Sequence, residues 1–133
     1  MPPNQGSFAS VRTGELALER NDSGLAVLTI SGEQDLSTAP NLRRRIDSLL
    51  DEGSATVVDL SPATFIDSSI LGVILDGRRR AEAAGIGFAV VHASGADAVD
   101  RVLEVTGLRA ELPVHARREE AFAEVSGSGK SPA

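Results

Sequence analysis

The chain has 133 residues, 41% hydrophobic and 24% charged, which is the balance of one soluble globular domain and too little chain for two separately buried cores. Its 19 acidic against 13 basic residues give a formal net charge of −6, and its only aromatics are four Phe, so it offers neither a cationic footprint nor stacking platforms for nucleic acid. There is no cysteine, which excludes disulfides, thiolate metal sites and cysteine nucleophiles, and His92 and His115 are the only imidazoles.

The opening MPPNQGSFAS lacks a basic segment followed by an apolar core, and no run approaches the roughly 20 consecutive apolar residues of a membrane span. A cytoplasmic protein with no membrane partner is expected. Residues 1–12 and 126–133 are rich in Gly, Ser and Pro and lack periodicity, which predicts a flexible N-terminal segment and a disordered tail around one folded unit at 13–125.

Leu16 to Arg20 and Leu25 to Ser31 read as a β-hairpin joined by Asn21-Asp22-Ser23-Gly24, a cluster suited to positive φ. A helix follows with Leu42, Ile46, Leu49 and Leu50 on one stripe, Ser37 or Thr38 near its cap, Pro40 in its first turn and Gly53 after its end. Arg43, Arg44 and Arg45 read as its solvated face. Thr56 to Leu60 is apolar without alternation, as in a central strand covered on both faces, and Ser61-Pro62 turns the chain.

A second helix is predicted from Ser68 to about Ala84, broken by Gly85 to Gly87, with the Arg78-Arg79-Arg80 run late in it, where positive charge suits the helix dipole. Its Gly72 and Gly77 suggest close packing or a wobble in the helix. Phe88 to Val91 reads as another buried strand. A third helix is expected from about Ala96 to Thr106, with Val99, Val102 and Leu103 inward. Leu112 to Val114 reads as a short strand, and Arg117 to Val125 as a last helix burying Ala121, Phe122 and Val125. The fold class is therefore α/β: a mixed four- to five-stranded sheet with about four helices, opening with a β-hairpin.

Chemistry concentrates at Phe65-Ile66-Asp67-Ser68-Ser69-Ile70-Leu71-Gly72, a strand-to-helix junction where unpaired amides and the positive end of the dipole meet a short polar triplet. Asp67 or Ser68 suits a helix cap. An exposed serine there also suits phosphorylation, since a helix start accommodates an added charge of about −1.5 to −2. A catalytic serine would need a neighbouring base, and the G-x-S-x-G pattern is missing. His92 and His115 read as surface or satisfied histidines, and no metal or other cofactor is implied.

The run T-F-I-D-S-S-I-L-G-V-I-L resembles the phosphorylation-site motif F-x-D-S-S-G-L-G-V-I-L of the STAS-domain anti-sigma-factor antagonists, and I-S-G-E-Q-D-L-S-T-A resembles that family's G-E-L-D segment. The resemblance spans about residues 15–125 and implies a STAS-like fold and a non-enzymatic partner switch. In that switch the unmodified protein binds an anti-sigma factor that is also a serine kinase, which frees the sigma factor. Phosphorylation ends the association and a PP2C-type phosphatase restores it. By position the resemblance makes Ser68 the phosphoacceptor, and it places Asp35, Asp67, Ser69, Ile70 and Leu71 at the partner contact.

Ile70 departs from the family, which has Gly there; the β-branched side chain is expected to crowd the phosphoacceptor and leave an apolar group partly exposed. A different cognate partner and binding without phosphorylation both follow from that departure. The alternative function is a sensory or scaffold STAS domain that binds a nucleotide, a small ligand or a signalling protein. The sequence assigns no oligomeric state.

Overall fold

The computed structural model describes residues 14–93, 98–107 and 110–129. Asn21 opens the first turn by accepting the Ser23 and Leu25 amides on its side-chain oxygen (2.9 and 3.0 Å), and Gly24 takes φ +82°, so Glu15–Arg20 (β1) folds back antiparallel on Ala26–Gln34 (β2). Helix α1 (Ala39–Asp51), strands β3 (Thr56–Asp59) and β4 (Ala63–Ile66), helix α2 (Ser68–Ala84), strand β5 (Phe88–Val91), helix α3 (Ala98–Thr106), strand β6 (Val114–His115) and helix α4 (Arg118–Gly129) follow.

The sheet runs β1-β2-β3-β5-β6, parallel from β2 onward. This is the mixed sheet expected from the alternating pattern, opened by its hairpin. One strand was not foreseen: β4, between the Ser61-Pro62 turn and α2, pairs parallel with the second half of β2 (Glu33 with Phe65, Gln34 with Ile66). The handover from β3 to β4 occurs at a register shift at Gly32, whose φ of +71° bends the strand as an L side chain would resist.

Period-two alternation splits the apolar residues between two layers. Leu28, Ile30, Val58 and Val90 pack with Leu42 and Ile46 of α1, Ile70, Leu71 and Ile74 of α2, and Val99 and Leu103 of α3. Val27, Val57, Ala89 and Val91 on the reverse face are covered by Ala121 and Val125 of α4. Burial on both faces is why Thr56 to Leu60 carries no polar alternation.

Polar links fix the helices. Asp59, only 5% exposed, accepts Arg118 Nε at 2.8 Å and the Ser61 amide at 2.8 Å, and Arg118 also reaches Thr29 Oγ1, tying α4 to the sheet. The α2 arginines stand before the last helical turn, which holds no basic residue, and they tie the helix to its neighbours: Arg78 donates to Phe88 O at 2.9 Å, Arg79 pairs with Glu111, and Arg80 bonds Asp47 at 2.6 Å and Asp76 at 3.0 Å. Gly77 lets α2 approach closely, because a Cβ there would stand 2.9 Å from Ile46 Cγ2. Gly72 does not behave this way; a Cβ there would meet nothing within 4 Å. The expected segment 1–12, the start of α3 at Ala96 and residues 130–133 of the expected tail lie outside the described residues, whereas α4 runs on to Gly129.

Candidate functional site

The site is built where β2 and β4 end side by side, so that two acidic loops leave the sheet together. After Ile66 the backbone of Asp67 stays extended (φ −114°, ψ −178°), the geometry of an N-cap, and its Oδ1 accepts the amides of Ser69 (3.0 Å) and Ile70 (3.3 Å) and the Ser69 hydroxyl (2.5 Å). Oδ2 accepts the Leu36 amide at 3.2 Å. Asp67 is thus both the cap of α2 and the clasp between the two loops.

The second loop is organised by Asp35. Its Oδ1 accepts the Ser37 hydroxyl (2.7 Å) and amide (2.9 Å), its carbonyl accepts the amides of Thr38 and Ala39 (3.0 Å each), and its own amide donates to Thr38 Oγ1 at 3.0 Å. The Ser37 hydroxyl and then the Ser37 amide, with the Thr38 amide, hold the Asp35 carboxyl below its ordinary value against desolvation, so it is ionised at neutral pH. Thr38 occupies the N-cap position of α1 without a side-chain cap bond, its hydroxyl being spent on the Asp35 backbone, while Pro40 fits the first turn.

Of the residues expected at the site, Asp35, Asp67, Ser68 and Ser69 gather around this clasp. Ser68, the first residue of α2, is exposed, and among the described residues its hydroxyl has no hydrogen-bond partner. The adjacent Ser69 is half-buried with its hydroxyl held by Asp67.

Ile70 and Leu71 are corrected: both are 0% exposed and pack in the core beneath α2, so neither presents a side chain to a partner, and Ile70 leaves no apolar group at the surface. The reason is helical geometry, since each step turns the side chain about 100° and carries the third and fourth helical positions onto the sheet. The exposed large apolar side chains on the elements that lead into the site are instead Leu36, 72% exposed in the Asp35 loop and not singled out by the sequence, and Phe65, 41% exposed on β4 at the start of the segment where chemistry was expected. A lone leucine between Asp35 and Ser37 was the available signal.

Leu36 also lines an apolar groove of about 330 Å³ between α1 and α2, shared with Ala39, Pro40, Arg43, Ser69 and Val73. Arg43, the only charged lining residue, is tied to Asp76 at 3.1 Å. The imidazoles serve elsewhere: buried His92 lies 3.5 Å from Asp100, and His115 Nε2 meets Glu124 Oε1 at 2.5 Å. Among the described residues no group of three or more His, Asp or Glu side chains is arranged to hold a metal ion, and no helix is long and apolar enough to cross a membrane.

The chain is similar to known proteins over most of its length. The family model described as STAS domain matches residues 16–121. The anti-sigma-B factor antagonist of Bacillus subtilis is 26% identical over 102 residues, 77% of this chain and 91% of that protein. Among solved structures, an anti-sigma factor antagonist from Mycobacterium paratuberculosis superposes with a TM-score of 0.73 at 29% identity, covering 86% of this chain and 95% of that one. The Bacillus cell fate determinant SpoIIAA in its phosphorylated form shares the fold at 24% identity, with a TM-score of 0.62 over 84% of this chain and 99% of its own.

Proposed function

This chain belongs to the STAS domain family, and we propose that it is an anti-sigma-factor antagonist: a cytoplasmic binding protein, not an enzyme, whose domain at 13–125 docks on a serine-kinase anti-sigma factor and displaces a sigma factor. In this reading phosphorylation of Ser68 ends the association, and a PP2C-type phosphatase renews it. The observation that carries it is the contrast between two adjacent hydroxyls. Ser68 is exposed at a capped helix start and its hydroxyl has no hydrogen-bond partner among the described residues, while Ser69 is engaged by Asp67. A kinase approaching this junction meets a hydroxyl with no hydrogen-bond partner among the described residues, and the loop tied to its cap carries Leu36, an exposed apolar side chain that suits a protein contact.

The switch follows from charge. A phosphate on Ser68 adds about −1.5 to −2 units beside Asp67 and the ionised Asp35, at a helix terminus that tolerates it in the free protein. Facing a partner, the same charge must be desolvated and lies among like charges, and each 1.4 kcal/mol of that penalty is about tenfold in affinity. The change is confined to the surface, so no hinge is required.

The test is incubation with a kinase-type anti-sigma factor and ATP, with the phosphate located by mass spectrometry. Wild type takes one phosphate at Ser68; Ser68→Ala takes none yet still binds the partner, and Ser68→Asp binds at least tenfold more weakly. Phosphate uptake persisting in Ser68→Ala would reassign the site.

A further inference from the structure

Gly72 is exposed in the second turn of α2 and its φ is not positive, so its backbone is that of an ordinary helix. A Cβ built on it meets no heavy atom within 4 Å, unlike Gly77 in the same helix, where Ile46 would be struck at 2.9 Å. Among the described residues nothing asks for glycine at 72, and glycine is among the poorest residues for a helix interior, where alanine is the best. Helical geometry sets Gly72 one turn above Ser68 and Ser69 on the same side of α2. Its neighbours Ser69 and Val73 both line the groove that Leu36 and Pro40 close from the α1 side.

We propose that Gly72 is a partner-contact position: the bare helix backbone is where the kinase that modifies Ser68 comes closest, seating an apolar side chain in the groove beside it. This rests on the function proposed above and specifies its contact. Proximity supports it, because an enzyme that brings a phosphoryl group to the Ser68 hydroxyl must lie against the first turns of α2. The chemistry of the groove supports an apolar occupant, since Arg43 is neutralised by Asp76 and the remaining lining residues carry no charge. A methyl group at 72 stands outward from the helix and holds the partner away, weakening docking without disturbing the fold.

The test is a pair of variants, Gly72→Ala and Gly72→Gln, compared with wild type in thermal unfolding and in binding to the kinase-type anti-sigma factor. Gly72→Ala should raise the unfolding midpoint by about 2–6 °C, because a helix-favouring residue replaces glycine at an open position. Its dissociation constant should rise at least tenfold, and that of Gly72→Gln further. Binding by Gly72→Ala within twofold of wild type overturns the inference and leaves the proposed function standing. A lowered midpoint in Gly72→Ala also overturns it, by showing an internal role for the glycine. Wild-type protein that neither binds the kinase nor accepts phosphate from it refutes the proposed function, and this inference falls with it.

Discussion

Asp67 performs two tasks with two oxygens, and substitution can separate them. In Asp67→Ala both are lost: the amides of Ser69 and Ile70 lose their cap acceptor and the Leu36 amide loses its tie. Cap removal costs about 0.5–2 kcal/mol. The partly solvated bond to Leu36 adds about 0.5–1 kcal/mol. The total of about 1–3 kcal/mol lowers the unfolding midpoint of a domain this size by about 4–12 °C. Asp67→Asn behaves differently, because asparagine caps helices about as well as aspartate while its amide nitrogen faces the Leu36 N–H donor to donor. Its cost should be limited to the inter-loop tie. Amide hydrogen exchange read residue by residue distinguishes the two. In Asp67→Asn the Leu36 amide exchanges about two- to fivefold faster, the equivalent of that 0.5–1 kcal/mol, while Ser69 and Ile70 keep their protection; in Asp67→Ala all three accelerate. Equal destabilisation by the two variants, or an unchanged Leu36 amide in Asp67→Asn, would refute the division of labour.

Ile70→Ala should cost about 2–5 kcal/mol in denaturant unfolding, since it removes a fully buried side chain, while the folded fraction remains phosphorylated at Ser68 at the wild-type rate; a small stability loss with altered phosphorylation would put Ile70 at the surface contact after all. Arg118→Ala should cost about 1–3 kcal/mol because it strips the buried Asp59 carboxylate of its cation, and Asp59→Asn in the same chain should recover part of that loss. Burial raises the Asp59 pKa, but the Ser61 amide and Arg118 outweigh it and hold the carboxyl below its ordinary value. A carboxyl lowered by folding stabilises the native state fully above its unfolded pKa of about 3.9, and that contribution disappears as pH falls through the lower folded value. Urea midpoints measured from pH 5 downward should therefore fall more steeply for wild type than for Asp59→Asn, and identical slopes would remove Asp59 from the acid response.

How far the sequence disclosed this molecule depends on how much of each signal was periodic. The stripe of Leu42, Ile46 and Leu49 marked α1, and the unbroken apolar run at Thr56 to Leu60 marked a strand covered on both faces. Strand β4 left no such trace: only four residues long, it buries its ends and exposes its middle, a pattern matching neither period. Asp35 and Asp67 could be singled out as chemistry, but not as neighbours, because the bond from the Leu36 amide to Asp67 depends on β4 pairing with the end of β2. The site's apolar contacts were misplaced for a related reason. The family resemblance set Ile70 and Leu71 at the contact because they follow Ser68 in its motif, whereas Leu36 and Phe65 reach the surface through a loop and a short strand whose course only the tertiary structure fixes.

The two serines then have a common explanation in the backbone. Because β4 delivers Asp67 extended at the helix start, its carboxylate curls over the first turn and engages the second serine, leaving the first outside the cap. A charge added to Ser68 consequently breaks none of the bonds that hold α2 or the Asp35 loop in place, and the core under Ile70 and Leu71 is not touched. A switch placed one residue later would have to compete with the cap itself. In the proposed mechanism the fold therefore separates what must stay fixed, the Asp67 clasp, from what must change, the charge that a partner meets.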